Sequence, residues 1–526
     1  MMFRRVVGCL LVIALALTVG NVQLVSGVNA VDVGKTEGKV FDTATARDDF
    51  VDNHVMVVLN NAASLKFRNY TTSDFPEIAC RSVRNLSTAA AAKVQAKLRG
   101  EKLAETDIGA AFMNKNVKTE TFKTILCLEL ETPGKENVLH AIEALEQRGD
   151  IYYVGPDYIM SLDMSRGPVE PDASTDIGWH RNAIELNYAW QIETGSNTVK
   201  VGVLDMGIDA SHPDLQGKVN TSLSRNFAPD SVSATTDSSG HGTHVAGIIG
   251  GSGNNYSGIQ GICQDITLVS LRVLSEDPFD PSSQKTTAGI LAEAINYAEQ
   301  INIPVLNISM HTNPVGHLFL AEALANYSGL VVCSAGNHGV DLDFAGSHMP
   351  ATMDSENIIC VGASTTQYAI ASFSNYGSTK IDLFAPGSTI ASCFSTTVCR
   401  ASGCTVQGHL SHGYHIFDGT SMATPMVAGV AALILSADSS LTCSEIKDLI
   451  LNNVKEYAAF TGKCVSGGLL NAKNIFSLHT MHGDDYYYVP VGTNRHRRCC
   501  EHCDVAVLEP HAWDGAGGCM LCGYSS

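Results

Sequence analysis

Short, continuously apolar segments alternate with glycine-rich turns and helical patterns over residues 177–480, and this alternation is the strongest constraint on the fold. Strands are predicted at 198–204, 266–274, 304–310, 330–336, 358–364 and 381–385, and helices at 286–300 and 421–437. A strand that is apolar on both faces needs cover from both sides, and intervening helices supply the crossovers of a parallel sheet. The pattern predicts an α/β domain with a mainly parallel sheet between helical layers.

Residues 31–165 show a second, shorter pattern. Strands are predicted at 54–60, 124–131 and 151–158, and helices at 88–100 and 136–149. This β-α-β-α-β order predicts a small α/β sandwich built from split βαβ units. The following segment, 161–176, has no periodicity and is interpreted as a linker.

Polar residues stand where the predicted parallel strands end, which is the edge where open α/β sheets bind ligands. Asp205 ends one strand, Asn337 follows another, and Ser421 opens the long apolar helix. Each alone is explained as well by a helix cap or a turn. Together with His241, however, they indicate catalysis. A serine nucleophile needs an imidazole base, a carboxylate to orient that base, and donors for the oxyanion, and these four residues supply one of each.

Four segments carry a family resemblance: VGVLDMGIDASHPDL (201–215), HGTHVAGIIG (241–250), SAGN (334–337) and DGTSMATPMVAGVAAL (418–433). In this order they resemble a subtilisin-family (subtilase) serine endopeptidase. The resemblance implies that Asp205 orients His241, His241 is the general base and acid, and Ser421 is the nucleophile. It also implies that Asn337 donates to the oxyanion and that His244 is structural.

Some positions depart from the family pattern. Met206 stands where the family commonly has Ser or Thr, so the side chain at this position has no hydroxyl to donate a hydrogen bond to Asp205. The resemblance places Ser309, Met310 and Gly336 in substrate binding. Met310-His311 replaces the usual small residues there, which predicts an atypical specificity pocket.

The resemblance also covers the N-terminal part, which is similar to the family's inhibitory propeptide, mainly over 126–162. An independent accessory domain is the alternative. The resulting expectation is an α/β fold: a subtilisin-like three-layer domain with a mainly parallel sheet, preceded by a small α/β ferredoxin-like propeptide domain. The expected parts are a signal peptide (1–30), the propeptide (31–165), the catalytic domain (166–480) and a Cys-rich tail (481–526). We expect Ser421 to cut the chain near 162–170.

No cofactor is expected for the chemistry, but a structural calcium ion is. Asp214 and the loop 251–261 resemble the family's calcium site, with Asp214 and Asn255 as side-chain ligands, and oxygen ligands suit this cation. A flexible turn is the alternative. Asn255 also begins an N-glycosylation triplet, as do Asn69, Asn85, Asn220, Asn307 and Asn326.

The first thirty residues indicate secretion. A basic start and the apolar run 9–19 are typical of a cleaved signal, and the run is too short to span a bilayer. A net charge of −19 argues against nucleic acid as a partner. The expected partners are protein or peptide substrates and the chain's own propeptide, and the expected state is a monomer without a membrane span.

Fifteen of the sixteen cysteines lie beyond the predicted signal core, in an oxidising compartment that favours disulfides. Cys443 and Cys464 are a plausible local pair, and Cys393, Cys399 and Cys404 are expected to tie down a loop. Cys333 and Cys360 lie in apolar strands and are expected as buried thiols. The tail spacing Cys500-x-x-Cys503 and Cys519-x-x-Cys522 suits disulfides, with zinc as the alternative.

Two other functions compete with a secreted, self-activating endopeptidase. A kexin-like processing protease typically has an Asp beside the catalytic Asp and a following sandwich domain, and Met206 and the short tail argue against it. A non-catalytic secreted binding protein would typically lack one of the triad residues, and all three are present.

Overall fold

The structure is a computed structural model that describes residues 22–24, 39–41, 44–161, 178–253, 258–276, 284–310, 318–345, 348–353, 355–401, 409–411, 413–477, 486–491, 495–500 and 506–510. Most of the predicted signal segment, the predicted cleavage region 162–170, Asn255, His311 and Cys404 lie outside these residues.

The N-terminal unit is a sheet with helices packed against it. Its strands are β1 (Val22–Leu24), β2 (Lys39–Phe41), β3 (Phe50–Leu59), β4 (Cys80–Asn85), β5 (Ile125–Leu130) and β6 (Ile151–Ser161). Its helices are α1 (Asn61–Ser64), α2 (Thr88–Leu98), α3 (Ile108–Lys115) and α4 (Lys135–Leu145). The strands follow the order β1-β2-β6-β3-β5-β4, and the last four pair antiparallel. Strand β4 and helix α3 were not predicted from the sequence.

Helix α4 shows why this unit folds as its periodicity predicts. Val138, Ile142 and Leu145 recur on one helical face and are all buried. They pack against Val55 and Val57 of β3 in one apolar cluster, while the opposite face of the helix is polar. The burial of this stripe, rather than helix propensity alone, stabilises so short a helix.

The large unit, residues 178–477, contains most of the elements. Its strands are β7 (Gly195–Asp205), β8 (Arg225–Asn226), β9 (Asp265–Arg272), β10 (Ser275–Glu276), β11 (Gln284–Thr287), β12 (Val305–Ile308), β13 (Leu330–Ser334), β14 (Ile358–Ser364), β15 (Leu383–Pro386), β16 (Ile390–Cys393), β17 (His409–Ser411), β18 (Tyr414–Phe417), β19 (Lys455–Glu456) and β20 (Gly468–Leu469). Its helices are α5 (Trp179–Ala183), α6 (Leu186–Ala189), α7 (His241–Gly250), α8 (Ala288–Gln300), α9 (Leu318–Asn326), α10 (Thr396–Ala401), α11 (Thr420–Ala437), α12 (Cys443–Asn452) and α13 (Ala472–Ile475).

The central sheet has the order β19-β20-β15-β14-β13-β12-β7-β9-β8. All its pairs are parallel except β19 with β20, which confirms the predicted mainly parallel sheet. Helices α7 and α11 pack together over one face, where α11 contacts β7 and β12 to β15. Helices α8 and α9 contact each other, α8 also contacts β7, and both contact the N-terminal unit. The result is the expected three-layer α/β domain.

The two units join through a strand pair. Strand β6 pairs antiparallel with β11, with Ile159 opposite Thr287 and Met160 opposite Thr286. Helix α2 lies against α8, and β3 and β5 contact α9. The end of the N-terminal unit therefore runs directly along the surface of the large unit.

The C-terminal segment contains strands although its sequence shows no helical or strand periodicity. Strands β21 (Tyr486–Val491), β22 (Arg495–Cys500) and β23 (Ala506–Pro510) form an antiparallel sheet. Polar and apolar residues do not alternate strictly in these strands, so a prediction based on that alternation misses them, although tyrosine and valine favour extended backbone.

One helix among the described residues is long and apolar enough to cross a membrane, namely α11. Nearly nine-tenths of it is buried inside the protein, and it carries Ser421 at its start.

Candidate active site

The four predicted catalytic residues lie at the ends of elements that meet at one edge of the sheet. Asp205 is the last residue of β7, and Asn337 follows β13, which is separated from β7 only by β12. His241 is the first residue of α7, and Ser421 is in the first turn of α11. Because the sheet is parallel, these strand ends face the same side as the starts of the helices that follow them.

Asp205 and His241 are hydrogen-bonded in the protein interior. The Nδ1 atom of His241 lies 2.8 Å from Asp205 Oδ2 and 3.0 Å from Oδ1. Both side chains are buried: that of His241 is 3% exposed and that of Asp205 is 0% exposed. A carboxylate on Nδ1 fixes the tautomer that leaves Nε2 as a proton acceptor, as a general base requires.

The carboxylate itself is held by the backbone beside it. The N–H of Met206 donates to Asp205 Oδ1 at 2.8 Å, so this oxygen has a donor even though Met206 offers no hydroxyl. The fully buried guanidinium of Arg272 donates to the carbonyl of Met206 and, at 2.8 Å, to Asp230 Oδ2. The Met206 segment is thus anchored from both its N–H and its carbonyl.

Asp237 holds the start of the histidine helix, and the sequence analysis missed it. Its carboxylate accepts from Ser239 N and Oγ, from Gly240 N, and from Thr243 N and Oγ1. Burial raises the pKa of Asp237, and these bonds oppose that rise. An Asp four residues before the histidine, in DSSGH, is the pattern that indicates such a cap.

Glycine is required on both sides of His241. Gly240 has φ +86°, a left-handed conformation that favours glycine, and a side chain there would overlap the ring of Phe394. A side chain at position 242 would overlap the carbonyl oxygen of Gly207 and crowd Asp205. The glycines let α7 start close enough to β7 for the His241–Asp205 bond to form.

Asn337 is oriented by the residue before the predicted nucleophile. Its Oδ1 accepts from Thr420 N and from Thr420 Oγ1, each at 2.9 Å. An amide whose oxygen is held in this way presents its NH₂ group in the opposite direction. Thr420 was not predicted as a site residue, although it lies within the quoted motif at 418–433.

Ser421 lies against the segment predicted to bind substrate. Its Oγ donates to Ser309 O at 3.1 Å, and Ser309 Oγ donates to Ser421 O at 3.2 Å. Ser309 and Met310 follow β12 rather than continuing it, so the predicted strand ends at Ile308. Gly336, with φ +92°, donates its N–H to Thr420 Oγ1 at 3.2 Å.

His244 has a different environment from His241. It is fully buried, and its Nε2 lies 3.1 Å from the carbonyl oxygens of both Ile390 and His415. Burial lowers its pKa well below the ordinary value, and His415 and His241 lower it further. These contacts are those of a packed structural residue.

Asp214, the described half of the predicted calcium pair, is fully buried. Its Oδ2 accepts from Ile259 N at 2.7 Å and from Tyr414 Oη at 3.0 Å. Among the described His, Cys, Asp and Glu side chains, those of His212 and Cys393 also have a nitrogen or sulfur atom within 4.8 Å of the Asp214 carboxylate. Asn255, the other predicted ligand, lies outside the described residues, so the calcium expectation stays a prediction.

The cysteines only partly follow the expectations. Cys333 and Cys360 are buried free thiols, as predicted. The predicted Cys443–Cys464 pair is wrong, because both are free and contact different carbonyls, of Ser328 and Phe460. Cys399 is disulfide-bonded, whereas Cys393 is a free buried thiol.

One predicted glycosylation position does not suit the fold. Asn307 is fully buried in β12, and its Nδ2 donates to Ser309 Oγ at 2.8 Å. The folded domain therefore leaves no room for a glycan on this side chain.

Comparison with known proteins agrees with this geometry. A model described as the subtilase family matches residues 196–473, slightly more than half of the chain. The chain is 32% identical over 344 residues to the thermophilic serine proteinase of Bacillus sp. (strain AK1), covering 64% of this chain and 76% of that protein. It is 33% identical to halolysin of Haloferax mediterranei, covering 54% of this chain and 50% of that protein. It is 37% identical to subtilisin E of Bacillus subtilis (strain 168), covering 48% of this chain and 60% of that protein.

Among solved structures, the MycP3 protease from the type VII (ESX-3) secretion system overlaps with a TM-score of 0.49 at 22% identity. The overlap covers 61% of this chain and 94% of that one. From the family match and its relatives, the chain belongs to the subtilase family and is a subtilisin-like serine endopeptidase.

Proposed function

We propose that the chain is a secreted, zymogen-type endopeptidase in which Ser421, His241 and Asp205 form the triad and residues 31–165 are an inhibitory propeptide. The observation that carries the triad assignment is the buried Asp205–His241 pair at the edge where α11 begins. Protein or peptide chains are the substrates. None of the proposed chemical steps requires a cofactor.

In the first step, His241 Nε2 takes the proton of Ser421 Oγ as this oxygen attacks the scissile carbonyl. The serine hydroxyl must leave its bond to Ser309 O and turn towards the imidazole. The imidazolium that forms keeps its Nδ1–H on Asp205, whose buried negative charge stabilises the positive ring.

The oxyanion of the tetrahedral intermediate binds the amide NH₂ of Asn337, with the backbone N–H at the start of α11 as a second donor. Thr420 keeps the Asn337 amide in place before the charge develops, so little reorganisation is needed. His241 then protonates the leaving amine, and water cleaves the acyl-enzyme by the same route in reverse.

The propeptide assignment is supported by how the N-terminal unit lies on the large unit. The β6–β11 pairing leads the chain from Ser161 into the predicted cleavage region 162–170. Asp157, from the same strand, accepts from Gly289 N at 2.8 Å and so caps α8. A backbone-paired segment that stays attached after cleavage is expected to block extended substrates.

The triad is tested with a fluorophosphonate probe, which labels an activated serine. The unaltered chain should be labelled at Ser421, and Ser421→Ala should not. Circular dichroism of both proteins controls for folding. Labelling of the Ala variant at the same rate would contradict the assignment.

Self-processing is tested with the same variant. The unaltered chain should lose about 165 residues from its N-terminus, while Ser421→Ala should remain full length in a host that lacks other proteases of this class. Processing of the purified Ser421→Ala variant at 162–170 would contradict the self-activation proposal but would leave the triad assignment untouched. Cleavage of library peptides after basic residues would favour the kexin-like alternative, because that subgroup typically has an acidic pocket.

A further inference from the structure

The connection between strands β4 and β5 is far longer than their pairing requires. The two strands are antiparallel neighbours, and such strands can be joined by a hairpin loop of about 2–5 residues. Here β4 ends at Asn85 and β5 begins at Ile125. The chain between them, residues 86–124, contains helices α2 and α3, and we call it the arm. The sheet of the N-terminal unit does not need the arm in order to form.

The second helix of the arm, α3, is docked into the large unit. Its residues Phe112 and Met113 are fully buried in the apolar cluster that forms the core of the large unit. Gly109 lies so close to the large unit that a Cβ atom there would be 2.7 Å from the carbonyl oxygen of Asn302. Glycine is a poor helix former, so this close approach explains its use in α3.

Polar contacts with the large unit hold both ends of α3. Before the helix, Asp107 Oδ2 lies 2.8 Å from Lys200 Nζ of β7. After the helix, Asn116 Oδ1 accepts from Cys443 N, the N–H group at the start of α12, at 3.2 Å. The first N–H groups of a helix have no partner within that helix, so the arm supplies one for α12.

These contacts lie far from the catalytic edge of the large unit. Lys115 Nζ donates to the carbonyl of Ser439 at 3.2 Å, just beyond the end of α11. Helix α11 carries Ser421 in its first turn and has 18 residues, so its ends lie about 27 Å apart at about 1.5 Å per residue. Strand β6, which pairs with β11, leads instead into the predicted cleavage region 162–170. The N-terminal unit therefore holds the large unit at two separate places.

We propose that the arm is a second docking element, which keeps the N-terminal unit bound to the large unit after self-processing. This inference rests on the proposed role of residues 31–165 as a propeptide. Cutting one peptide bond at 162–170 frees a chain end beyond β6 but breaks none of the contacts of α3. The cleaved unit leaves only when the buried side chains of α3 and the bond that caps α12 are given up, so its dissociation is slow. The processed enzyme is then a two-chain complex whose activity waits for this release.

Release is measured on the full chain carrying Ser421→Ala, with the recognition sequence of a site-specific protease inserted in the predicted linker. The chain is held on a resin by a C-terminal tag and cut, and the N-terminal unit in the wash is quantified over time by mass spectrometry. Gly109→Ala is the test variant, because alanine favours the helix itself while its Cβ atom obstructs docking against Asn302. Gly149→Ala is the matched control, since a Cβ atom there has no heavy atom within 4 Å.

The cut Ser421→Ala chain should keep its N-terminal unit for about an hour or longer, and Gly149→Ala should behave in the same way. Gly109→Ala should release the unit at least about tenfold faster, as expected for overlap with a packed backbone. Lys200→Met alters only the large unit and serves if Gly109→Ala does not fold. It should release the unit about two- to fivefold faster, since a partly exposed ion pair is lost. Loss of the unit from the parent within about a minute, or release from both variants at the parent's rate, would overturn the proposal.

Inhibition by the retained unit is read out separately. In the unaltered chain, fluorophosphonate labelling of Ser421 after self-processing should rise only as the N-terminal unit is released, and it should rise faster in Gly109→Ala. Full labelling while the unit is still bound would contradict the inhibitory role of residues 31–165, but it would leave retention by the arm intact. Rapid release from the parent would contradict retention and leave the inhibitory role intact.

Discussion

At the scale of single residues, two histidines three positions apart lie in different environments because they face different partners. His241 at the start of α7 meets the carboxylate of Asp205, whereas His244 one turn later meets the carbonyls of Ile390 and His415. A carboxylate partner suits an imidazole to proton transfer, whereas burial lowers the pKa of His244 and keeps its ring neutral.

Substitution of His241 should therefore cost activity, whereas substitution of His244 should cost stability. His241→Ala should abolish both peptide cleavage and self-processing, because His241 is the base that is hydrogen-bonded to Asp205 among the described residues. His244→Ala should lower the free energy of unfolding by about 2–4 kcal/mol, as expected for a cavity and two unpaired carbonyls. Turnover per folded molecule and urea unfolding separate the two effects. An active His241→Ala protein, or an inactive but fully folded His244→Ala protein, would contradict the assignment.

The lowered pKa of His244 predicts acid sensitivity. Above about pH 6.5 the residue is neutral in both the folded and the unfolded chain, so its stabilising contribution is complete. Below that pH the unfolded chain binds a proton that the folded chain excludes. The free energy of unfolding should then fall by up to about 1.4 kcal/mol per pH unit.

Urea unfolding of the Ser421→Ala chain between pH 8 and pH 5 measures this slope. His244→Gln keeps a side-chain N–H donor but does not titrate, so its slope should be smaller between pH 6.5 and 5. Identical slopes would show that His244 is not the group responsible.

At the scale of elements, helix α8 has an N-terminal cap that comes from another part of the chain. Its own N-cap, Thr287, accepts from Ile290 N, while Asp157 of β6 accepts from Gly289 N and from Thr287 Oγ1. His54 Nδ1 lies 3.2 Å from the same carboxylate. A buried carboxylate at a helix N-terminus stabilises it by up to about 2 kcal/mol.

Asp157→Asn should therefore loosen the first turn of α8 without unfolding the chain. Amide exchange at Gly289 and Ile290 should speed up by about tenfold, which corresponds to about 1.4 kcal/mol of lost capping free energy. Asp52→Asn, at an exposed position of β3, is the control and should leave these amides unchanged. Unaltered exchange in Asp157→Asn would mean that Thr287 suffices as the cap.

At the scale of the whole molecule, lysines of the N-terminal unit reach buried glutamates of the large unit. Lys93 Nζ lies 2.8 Å from Glu299 Oε1, and Lys123 Nζ lies 3.0 Å from Glu322 Oε1. Both glutamates are almost inaccessible, at 2% and 1% exposed. Burial raises the pKa of Glu322, and the Lys123 charge opposes this. The two units thus share charges that neither could bury alone.

Lys123→Met should destabilise the joined molecule by about 3–5 kcal/mol, since it leaves Glu322 buried without a cation. Calorimetry of the Ser421→Ala chain measures the loss. Combining it with Glu322→Leu should recover most of the stability, because an apolar pair can replace a buried ion pair. Arg81→Met, which breaks an exposed pair with Glu129, should cost less than about 1 kcal/mol. Equal losses for Lys123→Met and Arg81→Met would refute this account.

The sequence by itself determined the parts that depend on local pattern. Apolar runs predicted β7, β13 and β14 to within a few residues, and helical periodicity predicted α4 and α11. The resemblance carried by four motifs identified the family. These inferences succeed because burial leaves a repeating signature in neighbouring residues.

The tertiary structure decided which distant groups meet. The Asp157 cap and the Lys123–Glu322 pair join residues that are over a hundred positions apart in the sequence. The same limit explains the wrong Cys443–Cys464 pairing, since proximity along the chain does not set side-chain direction. Periodicity indicates that a side chain is buried, but the residue that it contacts there depends on how distant elements pack together in the folded chain.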